Sequence, residues 1–385
     1  MKAPPRFEVP ADSSEFRDWS HLPDLPLSEV LGRLVPCLPS LAVFAATCRR
    51  WRRFLLASAS TLILPRIPPL LLHRDQSKAD QNLLHAFSRG VIRKPVTSPT
   101  AASPSTLLSS SRGHLIFLAR PRGLLLLVDA FTGVERFALP LPSPHYPHHY
   151  ATLTATRLLL FVSKHAFVSL PFPFPPPDSV PEWTHHRLPR AASFVASVVE
   201  FRGRVLGVTD RAQLLEFRLG AASPDEEVQL LPAAGLPDAA AFESWHFGPR
   251  LVAAGERLLL LLLRTSPEGS GGMRQPSWVW KVGVYALVDK AEGTRWEETD
   301  NLGGYSVFVD RAGRSAVACA DAGGCGAEGN RVYFAERWYH EGSQRLWKWF
   351  RPGEGWEGDE RDQGLYVIGR MPTQAWVYPR LFFGR

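Results

Sequence analysis

The sequence predicts a multidomain chain in which a small all-α domain of three short helices precedes a larger all-β domain. Two observations predict this order. Apolar residues within the first 60 positions recur at helical spacing, whereas from about Thr61 they form short runs bounded by Gly, Pro, Ser or Asp. With 385 residues, 45% of them hydrophobic, the chain is long and apolar enough for more than one domain.

The helical domain is expected at residues 18–60, after a flexible N-terminus at residues 1–17. One apolar stripe predicts the first helix, and its members are Leu27, Val30, Leu31 and Leu34. Pro36 ends this helix, and Ser40 is expected to cap the second. Leu41, Phe44 and Cys48 are assigned to the second helix, and Trp51, Phe54 and Leu55 to the third. So small a unit cannot bury its apolar surface alone, and it needs the rest of the chain or a partner.

The all-β domain is expected at residues 113–385, or from about residue 62, with a basic connector and the first strands at 61–112. The connector includes a loop rich in Ser and Pro. A glycine just before an apolar strand recurs, at Gly113, Gly203, Gly255 and Gly329. This recurrence suggests a repeat of roughly 40 to 50 residues, which favours a propeller over a sandwich or barrel. The expected architecture is a propeller of about six to eight blades.

The formal net charge is +7, from 44 basic and 37 acidic side chains. The excess is confined to residues 61–123, whereas residues 124–385 are slightly acidic. Nucleic acid is therefore not the expected partner. The basic connector is interpreted either as a solvated loop or as a segment that steers an acidic substrate.

The cysteines and the apolar runs bear on the compartment. The four cysteines form no C-x-x-C pair and are too scattered for a disulfide framework. The longest apolar run, residues 258–263, is far shorter than the roughly 20 residues of a membrane-spanning helix. No secretory signal is recognised at the start. We expect a cytoplasmic or nuclear protein, or one found in both compartments, with no membrane partner.

No motif in the chain indicates catalysis. The sequence has no G-x-S-x-G, H-E-x-x-H or G-x-x-x-x-G-K-[ST] pattern. Histidines cluster at positions 145, 148, 149, 185 and 186, but their spacing matches no zinc signature. We expect no cofactor, no metal and no enzymatic activity.

Two sets of motifs resemble a known family. Leu22-Pro23, the apolar stripe and the closing Cys48-Arg49-Arg50-Trp51-Arg52 together resemble an F-box. Downstream, five stretches resemble the plant F-box proteins with a C-terminal KIB-type β-propeller, a large family long described as a domain of unknown function. They are LVDAFTGVERFALPLP (127–142), RLVAAGERLLLLLLR (250–264), WEETDNLGGYSVFVDR (296–311), GNRVYFAE (329–336) and PTQAWVYP (372–379). Asp129-Ala130 replaces the family's usual Asn-Pro, a change compatible with a turn.

The resemblance implies a substrate-recognition subunit of an SCF-type (cullin-RING) E3 ubiquitin ligase. In such a complex the F-box docks a Skp-family adaptor, and through it a cullin, while the propeller binds a protein target that the sequence does not identify. The implied adaptor-binding residues are Leu22, Pro23, Leu27, Val30, Leu31, Leu34, Leu41, Phe44, Cys48 and Trp51.

A group of C-terminal aromatic residues forms a second candidate site, for the target. Aromatic and arginine side chains dominate binding hot spots. The candidates are Trp338, Tyr339, Trp347, Trp349 and Trp356. Two other functions stay open: a non-ligase propeller scaffold whose helices form a cap, and an enzyme or glycan binder that uses the propeller channel.

Overall fold

The computed structural model describes 18 segments of the chain. These are residues 19–35, 37–74, 81–84, 94–96, 105–142, 147–174, 181–220, 227–237, 248–265, 279–291, 293–310, 314–321, 323, 327–335, 338–340, 343–345, 348–352 and 374–378. The expected flexible N-terminus at 1–17 lies outside them. In the described part of the chain, no helix combines the length and hydropathy needed to cross a membrane.

Three short helices come first, as the sequence predicts. They are α1 (Asp24–Leu34), α2 (Leu38–Thr47) and α3 (Arg49–Ser58). A 3-10 turn (Trp19–His21) precedes them, and a π-helical segment (Ala59–Ile63) and a 3-10 turn (Leu64–Arg66) follow.

Cysteines, and not the expected Ser40, occupy the N-cap positions of α2 and α3. Ser40 lies inside α2, and its Oγ donates a hydrogen bond of 3.1 Å to Sγ of Cys37, the N-cap residue. The prediction for Ser40 was wrong because Pro39 is well tolerated in the first helical turn, so the helix begins before the serine. Cys48 caps α3, since its Sγ accepts from the Trp51 backbone N–H at 3.5 Å.

The described strands form six four-stranded sheets and one two-stranded ribbon. Five of the sheets are wholly antiparallel and are called blades 1 to 5 here. Blade 1 contains β1 (Leu70–Arg74), β2 (Gln81–Leu84), β3 (Lys94–Val96) and β26 (Gln374–Val377). Blade 2 contains β4 (Thr106–Ser111), β5 (His114–Ala119), β6 (Leu124–Asp129) and β7 (Glu135–Pro140).

The next three blades follow in chain order. Blade 3 contains β8 (Tyr150–Leu153), β9 (Arg157–Phe161), β10 (Ala166–Pro171) and β11 (Thr184–Arg187). Blade 4 contains β12 (Val195–Phe201), β13 (Arg204–Thr209), β14 (Leu214–Phe217) and β15 (Val228–Leu231). Blade 5 contains β16 (Arg250–Ala254), β17 (Arg257–Thr265), β18 (Val279–Lys290) and β19 (Gly293–Glu298).

The sixth sheet departs from the blade pattern. It contains β20 (Ser306–Asp310), β21 (Ala316–Cys319), β22 (Arg331–Ala335) and β25 (Lys348–Phe350), in the order β21-β20-β22-β25. Strands β20 and β22 are parallel, which requires a crossover in place of a hairpin, and the chain makes this crossover between β21 and β22. The ribbon, β23 (Trp338–His340) and β24 (Ser343–Arg345), lies between β22 and β25 in the chain.

The blade count expected from the sequence was therefore wrong. The described residues form five antiparallel blades, not six to eight, and a mixed sheet fills the remaining sector. The sixth sheet contacts blade 5 through β21 and blade 1 through β20. The first strand, β1, pairs with the last, β26, so the two ends of the described propeller close one sheet together.

The recurring glycines mark turns within blades. Gly113, Gly203 and Gly255 have positive φ angles of 75°, 73° and 57° at the turns after β4, β12 and β16. Gly329 differs, because the positive φ belongs to its neighbour Asn330. A Cβ on Gly329 would lie 2.7 Å from the Gly304 carbonyl oxygen, so close packing is what requires glycine there.

Candidate functional site

The helical domain packs its apolar stripe against itself and against the propeller. Four of the predicted adaptor-binding residues are almost fully buried, namely Leu27, Leu31, Leu41 and Phe44. They share one core with Ile67 and with Tyr378, which follows the last strand. The Tyr378 hydroxyl donates a 2.8 Å hydrogen bond to the Ile67 carbonyl, which fixes the helices to the propeller.

The other predicted adaptor-binding residues lie nearer the surface. Pro23 and Val30 are exposed, whereas Leu22, Leu34, Cys48 and Trp51 are partly buried. The Trp51 ring lies 4.7 Å from that of Phe44, and its Nε1 donates to the Trp19 carbonyl at 3.1 Å. Trp51 therefore links the start of the helical domain to α3.

Three exposed apolar side chains of the helical domain were missed by the sequence reasoning. Leu25 is 80% exposed, Val43 68% and Trp19 60%. Together with Val30, which is 36% exposed, they form what we call the apolar helical surface. None of the three lies on the helical stripe, so periodicity could not select them. Arginines are exposed on the same domain, at Arg33, Arg49, Arg52 and Arg53.

The aromatic target-binding candidates are only partly placed. Trp338 and Tyr339 belong to β23, opposite Arg345 and Gln344. Trp349 belongs to β25, opposite Tyr333. Trp347 and Trp356 lie outside the described residues. Strand pairing thus places Trp338 and Tyr339 in the two-stranded ribbon and Trp349 in the sixth sheet.

The central channel contains a cavity of about 250 Å³. Its wall is formed by the innermost strands of the blades and by β21, and hydroxyl groups of Ser110, Ser111 and Thr152 belong to lining residues. Val317 and Tyr378 line the cavity and also pack on the helical core. The helical domain therefore lies beside one part of the channel wall.

Ion pairs join different blades at the end of the channel where the first strands of blades 2, 4 and 5 finish. Arg112, after β4, pairs with Glu200 at 3.1 Å. The other carboxylate oxygen of Glu200 accepts from the Ala155 N–H at 2.7 Å. Arg202 pairs with Glu256 at 2.9 Å, which joins blade 4 to blade 5. Each of these arginines has a carboxylate partner.

One buried constellation has the connectivity of a hydrolase triad. Ser169 Oγ lies 2.8 Å from Nε2 of His186, and Nδ1 of His186 lies 2.7 Å from a Glu227 carboxylate oxygen. Ser169, however, is 0% exposed, and Arg157 also donates to its hydroxyl at 3.1 Å. A substrate carbonyl cannot reach that oxygen, so the group acts as a buried polar link from blade 3 to Glu227.

Histidine clustering does not create a metal site in the described part of the chain. No three His, Cys, Asp or Glu side chains there converge as metal ligands would. His186 is engaged with Ser169 and Glu227, and His148 and His149 lie just before β8.

The solved structures that are similar to this chain belong to different kinds of protein from different organisms. The virginiamycin B lyase of Staphylococcus aureus is 13% identical with a TM-score of 0.34, covering 59% of this chain and 65% of the lyase. PorZ of Porphyromonas gingivalis is 15% identical with a TM-score of 0.38, covering 74% and 32%. The Cps50 (Swd1) beta-propeller domain of Myceliophteria thermophila is 12% identical with a TM-score of 0.31, covering 66% and 79%.

The alignment spans less than two thirds of the lyase and of PorZ. All three TM-scores are below 0.5, so the fold assignment rests on strand pairing and on the family match. No curated protein matches the chain.

The KIB1-4 beta-propeller family model matches residues 84–366. This match confirms the KIB-type propeller expected from the sequence and covers well over half of the 385 residues. The chain belongs to the KIB1-4 beta-propeller family.

Proposed function

We propose that this protein is the substrate-recognition subunit of an SCF-type ubiquitin ligase. The helical domain docks a Skp-family adaptor, and through it a cullin, while the propeller holds a target protein. The chain supplies binding and proximity, and the chemistry takes place on another subunit. A cytoplasmic or nuclear location, or both, goes with this role.

The observation that carries the proposal is the apolar helical surface in front of a KIB1-4 propeller. Leu25 and Val43 are among the most exposed large apolar side chains of the described residues, and both lie within the F-box-like pattern. Burial of one such side chain contributes about 1.5–3 kcal/mol. Two or three of them therefore contribute about 3–9 kcal/mol to an interface, before the cost of association is subtracted.

The docking residues that we propose differ from the set read from the sequence. Leu27, Leu31, Leu41 and Phe44 support the surface from inside the helical domain. Val30, Leu25 and Val43 are exposed on the same domain, and we propose them as the residues that contact the adaptor. Trp51 acts through its contacts with Phe44 and Trp19.

Co-purification with a purified Skp-family adaptor tests the proposal. We expect wild-type chain to retain the adaptor, and Val43→Asp or Leu25→Asp to weaken binding at least tenfold, since about 1.4 kcal/mol corresponds to that factor. Val134→Asp is the matched control, because Val134 is a 50% exposed valine on the propeller. Failure of the soluble wild-type chain to bind any Skp-family adaptor would refute the proposal.

A non-ligase scaffold is the second candidate. The bond from Tyr378 to Ile67 and the core shared by the helices and the propeller favour it, because they are what a structural cap needs. In that case the wild-type chain would show no adaptor binding, whereas truncation of residues 19–66 would destabilise the propeller.

A further inference from the structure

Two arginines without an ion-pair partner among the described residues stand where innermost strands begin. Arg250 is the first residue of β16, and Arg314 lies just before β21. This end of the channel is opposite to the end at which Arg112 and Arg202 hold their carboxylate partners. Among these four described arginines, the two at the strand ends have a carboxylate partner and the two at the strand starts have none.

Arg250 is almost completely buried, with 3% of its surface exposed. Its Nη1 donates to the carbonyl oxygens of Pro249 at 3.1 Å and Gly248 at 3.4 Å. Its Nε has no hydrogen-bond partner in the described structure. Burial, and then the positive charge of Arg314, lower the Arg250 pKa to about 10. The described residues thus leave part of this guanidinium without a hydrogen-bond partner.

Arg314 lines the cavity directly. Its guanidinium carbon lies 5.8 Å from the centre of the Tyr150 ring, and no carboxylate among the described residues forms an ion pair with it. Burial lowers the pKa of this group. Arg314 also has a φ angle of +48°, a conformation that a side chain other than glycine adopts at an energetic cost.

Asp310 is the acidic residue whose charge acts on Arg250, and its carboxylate accepts hydrogen bonds from other residues. Asp310 is fully buried, and its Oδ2 accepts from Ser315 Oγ and from the Trp376 N–H at 3.0 Å. Its charge favours the protonated form of Arg250 without an ion pair between them. Among the described residues, Asp310 is the carboxylate whose charge acts on Arg250, and the Arg314 charge has no carboxylate partner.

We propose that the central channel binds a small oxyanion, either a carboxylate or a phosphate. Arg314 is the direct ligand, and the positive charge of the buried Arg250 adds to the attraction. A buried cation without a partner is costly, and a bound anion removes that cost. The planar fork of arginine matches both carboxylate and phosphate. The hydroxyls of Ser110 and Ser111 already donate to the carbonyl oxygens of Trp376 and Leu153, so the Arg314 guanidinium is the donor that we assign to the ligand. A volume of about 250 Å³ limits the ligand to a small molecule or a single terminal group.

Thermal unfolding with inorganic phosphate and with citrate, at ionic strength held constant with sodium chloride, tests the proposal. We expect a saturable rise in Tm for the wild-type chain, as ligand binding to the folded state requires. Titration calorimetry then gives the Kd. Arg314→Gln should raise the Kd at least tenfold, and Arg314→Lys, which keeps the charge but loses the fork, should raise it less.

Arg187→Gln is the matched control, because it removes the same charge from an exposed arginine of the outermost strand β11. The control should keep the wild-type Kd. Tighter binding of phosphate than of citrate assigns a phosphate ligand, and the reverse assigns a carboxylate. The proposal is overturned if neither probe gives a saturable shift, or if Arg314→Gln binds as well as the control. Because Val43→Asp leaves the channel intact, it should bind the anion normally even where adaptor binding is lost.

Discussion

The helical domain and the propeller leave different kinds of groups without partners. The helical domain leaves apolar side chains in water, at Leu25, Val43 and Trp19. The propeller covers nearly all of its described large apolar side chains but leaves positive charge uncompensated inside its channel, at Arg250 and Arg314. Exposed apolar surface calls for a protein partner, and a partly buried cation calls for an anion. We therefore expect a protein partner at the helical domain and an anion in the channel of the propeller.

Adjacent residues of α1 provide the strongest test of which apolar groups are structural. Leu31 is fully buried in the helical core, whereas Val30 is partly exposed. We expect Leu31→Asp to cost more than about 4 kcal/mol, because an unpaired carboxylate cannot be accommodated there. Val30→Asp should change the unfolding free energy by less than about 0.5 kcal/mol.

Urea unfolding followed by circular dichroism at helical wavelengths measures both variants. Equal stability of the two would mean that Leu31 is not in the core and that the docking surface has been drawn on the wrong side of α1.

The pH dependence of stability tests the cationic end of the channel. Burial, and then the charge of Arg314, lower the His149 pKa from 6.5 to about 4, with smaller effects from Val195, Asp210 and His148. Because the folded-state pKa is lower, the unfolded chain takes up a proton between pH 6.5 and about 4 that the folded chain does not. His149 therefore lowers stability as pH falls through that window, by at most about 3 kcal/mol.

His149→Gln should flatten the curve of unfolding free energy against pH between about 4 and 6.5. His165→Gln, at an exposed histidine, should leave the curve as in wild type. If the His149 variant keeps the wild-type slope, the described surroundings of this histidine are wrong.

A comparison of Arg112 with Arg314 isolates the effect of a carboxylate partner on stability, because the two residues have nearly equal φ angles. Arg112 and Arg314 have φ angles of 47° and 48°, but only Arg112 pairs with a carboxylate, that of Glu200. Substitution of either by glycine relieves similar backbone strain. We expect Arg314→Gly to raise the unfolding free energy by about 0.5–1 kcal/mol in anion-free buffer, and Arg112→Gly to give no gain, because it also loses an ion pair.

Chemical denaturation of both variants beside wild type measures the difference. A larger gain for Arg112→Gly would show that the Arg314 charge is compensated after all.

The strands could largely be predicted from the sequence, and the order of the sheets could not. Short apolar runs such as those of β5, β13 and β17 predict strands, because side chains buried on both faces of a sheet are mostly apolar. Strand β22 pairs in parallel with β20 because the connection between β21 and β22 crosses to the other side of β20. Local sequence patterns do not indicate such a connection. The number of blades was therefore overestimated.

The candidate sites show a similar limit. Helical periodicity finds the side of a helix that faces a core, so it selected Leu27, Leu31 and Phe44, which are buried. Leu25 and Val43 lie off that periodicity, and the feature that marks them is exposure in the folded chain. The pairing of Arg112 with Glu200 and the lack of a partner at Arg314 likewise depend on contacts between residues far apart in sequence.

The affinity of the purified chain for a purified Skp-family adaptor tests the central claim most directly. We expect a saturable one-to-one complex that Val43→Asp weakens at least tenfold and Val134→Asp leaves unchanged. Absence of a complex with the folded wild-type chain, or equal affinity of the two variants, would contradict it.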